Sequence, residues 1–181
     1  MLRSTGKFSP RYRMTLIAGG GLAFALASVL LFPRVGVLGV WPDVMTLYAL
    51  FFTLFNNERG RYLPCMALGL LRDVFSAGPF GTYAILYGLL YRLLMSRRKS
   101  LYRDNPLTLL AIAFLAVVLI NLGYHATLVM TGAGIGWTDA GLRALSLGAV
   151  TAPFMLPLTW LMKAGLARAG VERMPGGLMN V

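Results

Sequence analysis

The chain has 181 residues, 57% of them hydrophobic and 13% charged, with a formal net charge of +11. A soluble domain carries about 25% charged residues, and a fold this short cannot hide so much apolar surface from water, so lipid must be the solvent for much of it. A single cysteine, Cys65, and a single histidine, His125, leave no intrachain disulfide framework and no zinc-type site.

A basic stretch, 1–13, leads into the first apolar segment, 14–32, "MTLIAGGGLAFALASVLLF", which is free of charge. The run is long for the apolar part of a signal peptide and is read as a retained span. Gly19, Ala23 and Ala27 recur four residues apart, which aligns them on one smooth face where helices can approach closely in lipid. The second segment, 41–55, opens on Pro42 and Asp43. The third, about 62–77, is interrupted by Arg72 and Asp73, and "SAGPFG" turns the chain into the fourth, 79–95, with Ser76, Pro79 and Gly81 as turn residues.

The group Arg97, Arg98 and Lys99 follows and reads as a basic contact on the cytoplasmic side, a topology anchor that touches lipid or a partner. The fifth segment, 106–130, is long and contains Asn121 and His125. The glycine-rich 131–141 reads as the longest outer loop, with Trp137 at the membrane interface. The sixth, about 142–162, carries Pro153 and Pro157 one turn apart, so a kink is expected there. A membrane core of about 30 Å needs about 20 helical residues, so the first and fifth segments span unaided and the second to fourth need flanking residues or tilt.

The expected fold is all-α: a polytopic bundle of six transmembrane helices with short loops. It divides into a cytoplasmic segment 1–13, a membrane domain 14–163 and a cytoplasmic tail 164–181. Orientation follows from the cations. With the N-terminus inside, 13 of the 17 Lys and Arg are cytoplasmic, two are outside, and Arg72 and Arg92 lie within spans. That bias sets both termini in the cytoplasm and turns the charge toward anionic lipid, without nucleic acid.

An ionisable group at the bilayer centre costs roughly 2.5–3.5 kcal/mol on insertion scales, so such groups face protein or water and take partners. Mirroring the hairpin of segments two and three places Asp43, Arg72 and Asp73 at one depth, in the outer third. His125 lies about 28 Å along its helix, also near the outer boundary, with Asn121 a turn deeper on the same face. Arg72 and Asp73 point about 100° apart and cannot neutralise each other. Arg72 is therefore expected to pair with Asp43, and Asp73 to cap or bond the turn that follows. Asp43, Arg72, Asp73, Asn121 and His125 form the candidate polar cluster, structural or partner-binding in role. No serine sits in a recognisable nucleophile arrangement and no intramembrane protease motif occurs, so no catalytic residue and no cofactor is expected.

These residues resemble the MreD family of bacterial rod-shape-determining membrane proteins. The likeness lies in Pro42 and Asp43 opening the second span, and in Gly69, Asp73, Ser76, Pro79 and Gly81 around the third. Arg72 departs from the family pattern, in which an apolar residue is common before the Asp. The resemblance implies a non-enzymatic scaffold of the inner membrane, in the machinery of cell elongation and lateral peptidoglycan synthesis. Its implied partners are MreC, docking by its transmembrane helix, the MreB filament, RodA and a class B penicillin-binding protein. A rival reading is the substrate-binding subunit of an energy-coupling-factor vitamin transporter. There Gly19, Ala23 and Ala27 would meet the coupling partner, and Asp43, Arg72, Asn121 and His125 would line the pocket.

Overall fold

The computed structural model describes residues 19, 20, 23, 41–55, 62–97, 105–132 and 136–168. Regular structure among them is entirely helical: α1 (Val44–Phe55), α2 (Leu63–Val74), α3 (Thr82–Ser96), α4 (Pro106–Met130), α5 (Trp137–Thr151) and α6 (Met155–Arg168). A 3₁₀ turn, Ala152–Phe154, joins α5 to α6, which gives the expected bend at Pro153 the form of a tightened turn. Apolar segments two to six thus become five helical rods. Of the first segment, Gly19, Gly20 and Ala23 are described, and they are helical. Ala27, Arg98, Lys99, the segment 1–13 and residues 169–181 of the tail lie outside the described residues.

Two rods, Pro106–Met130 and Trp137–Ala164, are long and apolar enough to cross a membrane. The sixth segment therefore begins at Trp137, not near 142, and Trp137 is the first residue of a helix and not part of a loop. Gly136 accepts from the Ala140 N–H at 3.0 Å. Asp139 sits in the first turn, where a negative charge complements the helix dipole. The glycines that read as a loop hide this start. At the other end α6 continues to Arg168, past the boundary drawn at 163.

The short α1 is the centre of the bundle. Every residue from Pro42 to Leu54 is buried, as suits a helix that is apolar all round. Its Leu47 and Leu50 join Tyr87 of α3, Ala113 and Val117 of α4, and Met155 of α6 in one core. Outward faces are apolar too: Ile85, Leu89, Leu115, Leu119, Trp160 and Leu161 are all exposed. Large residues so displayed suit hydrocarbon as the surrounding medium.

Two glycines fix the α2–α3 hairpin. At Gly69 an added Cβ would lie 2.5 Å from both the Ala84 Cα and the Tyr83 carbonyl oxygen, so the two helices touch backbone to backbone. Gly81, at φ 94°, takes the left-handed conformation that starts α3 and that side chains rarely adopt. Of the small face predicted on the first segment, Gly19 and Ala23 are described. Gly19 and Ala23 are exposed, and a methyl on Gly19 would meet nothing. The residue against the bundle is Gly20, whose added Cβ would come 3.1 Å from the Tyr48 hydroxyl.

Candidate functional site: a polar tie among the helices

Asp43 starts α1 as its N-cap. Its carbonyl accepts from the Leu47 N–H at 3.3 Å and its Oδ1 from the Thr46 N–H at 3.1 Å. An aspartate does this well because the first turn of a helix has N–H groups with no partner of their own. The Oδ2 atom accepts from the Thr46 hydroxyl at 2.7 Å and from Asn121 Nδ2 at 3.1 Å. Asn121 uses the same Nδ2 to reach the Val117 carbonyl at 2.8 Å, which fixes its rotamer. The Asp43 N–H donates to the Thr151 hydroxyl at 2.9 Å, at the end of α5.

Arg72 of α2 closes the tie. Its Nη1 bonds Asp43 Oδ1 in a buried ion pair, with Asp43 4% and Arg72 16% exposed at the side chain. The same nitrogen lies 2.7 Å from the Thr46 hydroxyl and 2.9 Å from the Tyr87 hydroxyl. Thr46 and Tyr87 are 2.9 Å apart. Since the Thr46 proton goes to Asp43, Tyr87 must be the donor of that pair. The guanidinium lies 4.0 Å from the centre of the Tyr83 ring, a cation–π distance, and Nη2 reaches the Tyr83 hydroxyl at 3.3 Å. Tyr83 in turn stacks on Tyr124 of α4, with centroids 4.6 Å apart. One carboxylate and one guanidinium therefore gather α1, α2, α3, α4 and the end of α5. A buried pair of this kind holds only when the remaining lone pairs and protons also find partners, and hydroxyls supply them here.

Asp73 lies next along the chain but does other work. Its Oδ1 accepts from the Tyr83 N–H at 3.0 Å and its Oδ2 from the Ala84 N–H at 3.2 Å. The side chain thus reaches over the turn and caps α3, whose own N-cap residue, Gly81, has no side chain to do so. Below it, the Ser76 hydroxyl and N–H both donate to the Asp73 carbonyl at 3.1 Å. Thr82 returns its hydroxyl to the Pro79 carbonyl at 2.7 Å. Ser76, Pro79 and Gly81 thus sit in one closed turn.

His125 does not join the cluster. It stands one turn beyond Asn121, its ring tilted on Tyr124 at 5.7 Å, and its buried Nδ1 has no hydrogen-bond partner among the described residues. Sequence reasoning also missed Thr46, Tyr83, Tyr87 and Thr151. Tyr83, Tyr87 and Tyr91 follow each other at intervals of four residues, and all three are buried. Three tyrosines on one helix stripe facing a core imply polar partners for their hydroxyls. The three-residue spacing of Asp43 and Thr46 before an apolar run likewise signals a helix start. Arg97 ends α3 in an exposed position, consistent with a surface contact.

Among the described residues no group of three or more His, Cys, Asp or Glu could hold a metal ion. The tie is chemically closed: its donors and acceptors are turned on one another.

No curated protein and no solved structure matches the chain. The family described as rod shape-determining protein MreD matches residues 14–162, most of the chain and all of the helices that build the tie. Those helices, two of them long and apolar enough for membrane insertion, make up a membrane protein that belongs to the MreD family and carries its rod-shape-determining role.

Proposed function

We propose that this chain is a non-enzymatic, multi-pass scaffold of the bacterial inner membrane, with both termini in the cytoplasm. It helps control lateral peptidoglycan synthesis by holding an MreC-type protein through its transmembrane helix. MreB, RodA and a class B penicillin-binding protein are further members of the assembly. The observation that carries the reading is the saturated tie inside a family-matched bundle. Asp43, Arg72 and Asn121 spend their bonding capacity on each other and on Thr46, Tyr83 and Tyr87. Such residues hold helices in place. A vitamin pocket would need them free to bind a ligand, and that favours the scaffold over the transporter reading.

Two measurements test this. Depleting the protein in its host should turn rods into spheres, and an MreC-type protein should copurify with it from mild detergent. Retention of a vitamin with an ATPase pair, and normal cell shape on depletion, would overturn the proposal. Cysteine labelling of Arg97→Cys from intact and opened cells tests the orientation, with labelling expected only after opening.

A further inference from the structure

The five rods differ in length. α2 and α3 have 12 and 15 residues, which is about 18 and 22 Å of helix. α4 has 25 residues and the rod Trp137–Ala164 has 28, about 37 and 42 Å. The two short helices stand together as a hairpin, locked at Gly69. Within the described residues the α2–α3 pair is therefore shorter than the roughly 30 Å of a bilayer core, while α4 and the last rod are longer than it. A membrane meets a short wall by thinning locally, which draws head groups toward the midplane.

Arg92 lies on that short wall. It is exposed, one turn before the end of α3 at Ser96, on a stripe with the exposed Ile85 and Leu89. No described residue gives it a carboxylate, a hydrogen bond or a ring, and the closing Arg97 adds a second exposed cation. Helical side chains lean toward the N-terminus of their helix, here toward the membrane midplane, so Arg92 gains little reach by stretching outward. Gly69 faces Ala84, and Gly88 faces Met66. That antiparallel register sets Tyr62, exposed at the start of α2, level with Arg92. An exposed tyrosine beside a cation marks the interfacial depth at which phosphates lie.

We propose that Arg92 binds the phosphate of an anionic phospholipid, drawn inward by the short α2–α3 wall, with Tyr62 at the same level. An exposed cation with no carboxylate among the described residues needs an anion, and the short α2–α3 pair brings one within reach. That the lipid belongs to the cytoplasmic leaflet rests on the orientation proposed above.

The test is native mass spectrometry of the full chain released from detergent supplemented with phosphatidylglycerol or phosphatidylcholine. Wild type should retain at least one phosphatidylglycerol in several-fold preference to phosphatidylcholine. Arg92→Gln should lose most of that preference and Arg92→Lys should keep part of it, with thermal melting unchanged because the side chain is exposed. Equal retention of the two lipids by wild type would overturn the proposal, and so would an undiminished preference in Arg92→Gln. If Arg92→Gln keeps the lipid preference and loses a copurifying protein, the site belongs to an acidic partner helix and the lipid assignment falls. The phosphate site is read from lipid counts and the leaflet from labelling of Arg97→Cys, so either can fail without the other.

Discussion

Asp43 and Asp73 are both buried aspartates that cap the start of a helix, Asp43 its own and Asp73 the next one from the last turn of α2, yet the two are satisfied in different ways. Asp73 takes two backbone N–H groups from α3 and needs no cation; the positive end of the helix dipole is its counter-charge. Asp43 caps its own helix and also carries Arg72, Thr46 and Asn121. The first carboxylate closes a turn, a local task. The second joins helices far apart in sequence, and only that task makes it depend on a specific opposite charge.

The sharpest way to break this contrast is to remove one charge. Asp43→Ala or Arg72→Ala strands its partner in the interior and should cost about 3–5 kcal/mol, read from unfolding in detergent titrated with a denaturing surfactant. The neutral double variant Asp43→Asn with Arg72→Gln should recover much of that loss, and strictly additive effects would refute the pairing. Next in size is Gly69→Ala. Its methyl would strike backbone on α3, and overpacking of this kind should cost about 1–3 kcal/mol, with α2 and α3 losing protection from hydrogen exchange before α4. Asp73→Ala should cost about 0.5–2 kcal/mol as a lost cap. Asp73→Asn keeps an acceptor and should cost less, whereas Asp43→Asn should remain severe; similar losses for the two Asn variants would erase the distinction. The smallest effect is expected for Asn121→Ala, about 1 kcal/mol for one hydrogen bond among several on Asp43, checked in the same unfolding assay.

How much of this could be read beforehand follows the same physics. A charge inside an apolar run has very few possible partners, so reflecting Arg72 across a hairpin onto Asp43 is a short step. Asn121 follows because a carboxamide in lipid also needs a partner. Hydroxyls are different. Buried, Thr46, Tyr87 and Thr151 also need partners, but a hydroxyl is served by many kinds of group, so the sequence does not name the partner until the fold places them beside Arg72 or Asp43. His125 misled because depth along a helix was taken for membership in the cluster, although a further turn carried it past Asp43. The start of α5 stayed hidden among glycines that read as loop, and Gly20 was overlooked because it lies one residue off the regular Gly19–Ala23 spacing. Arg72 itself, the cation that interrupts the apolar run, is the residue around which most of the hydroxyls gather.

Thr151 stands where the last rod changes from α5 through its tightened turn into α6, and its hydroxyl holds the Asp43 amide. The elbow is therefore clamped to the head of the central helix. The residue that carries the ion pair is thus also the one fastened to the bend of the last rod.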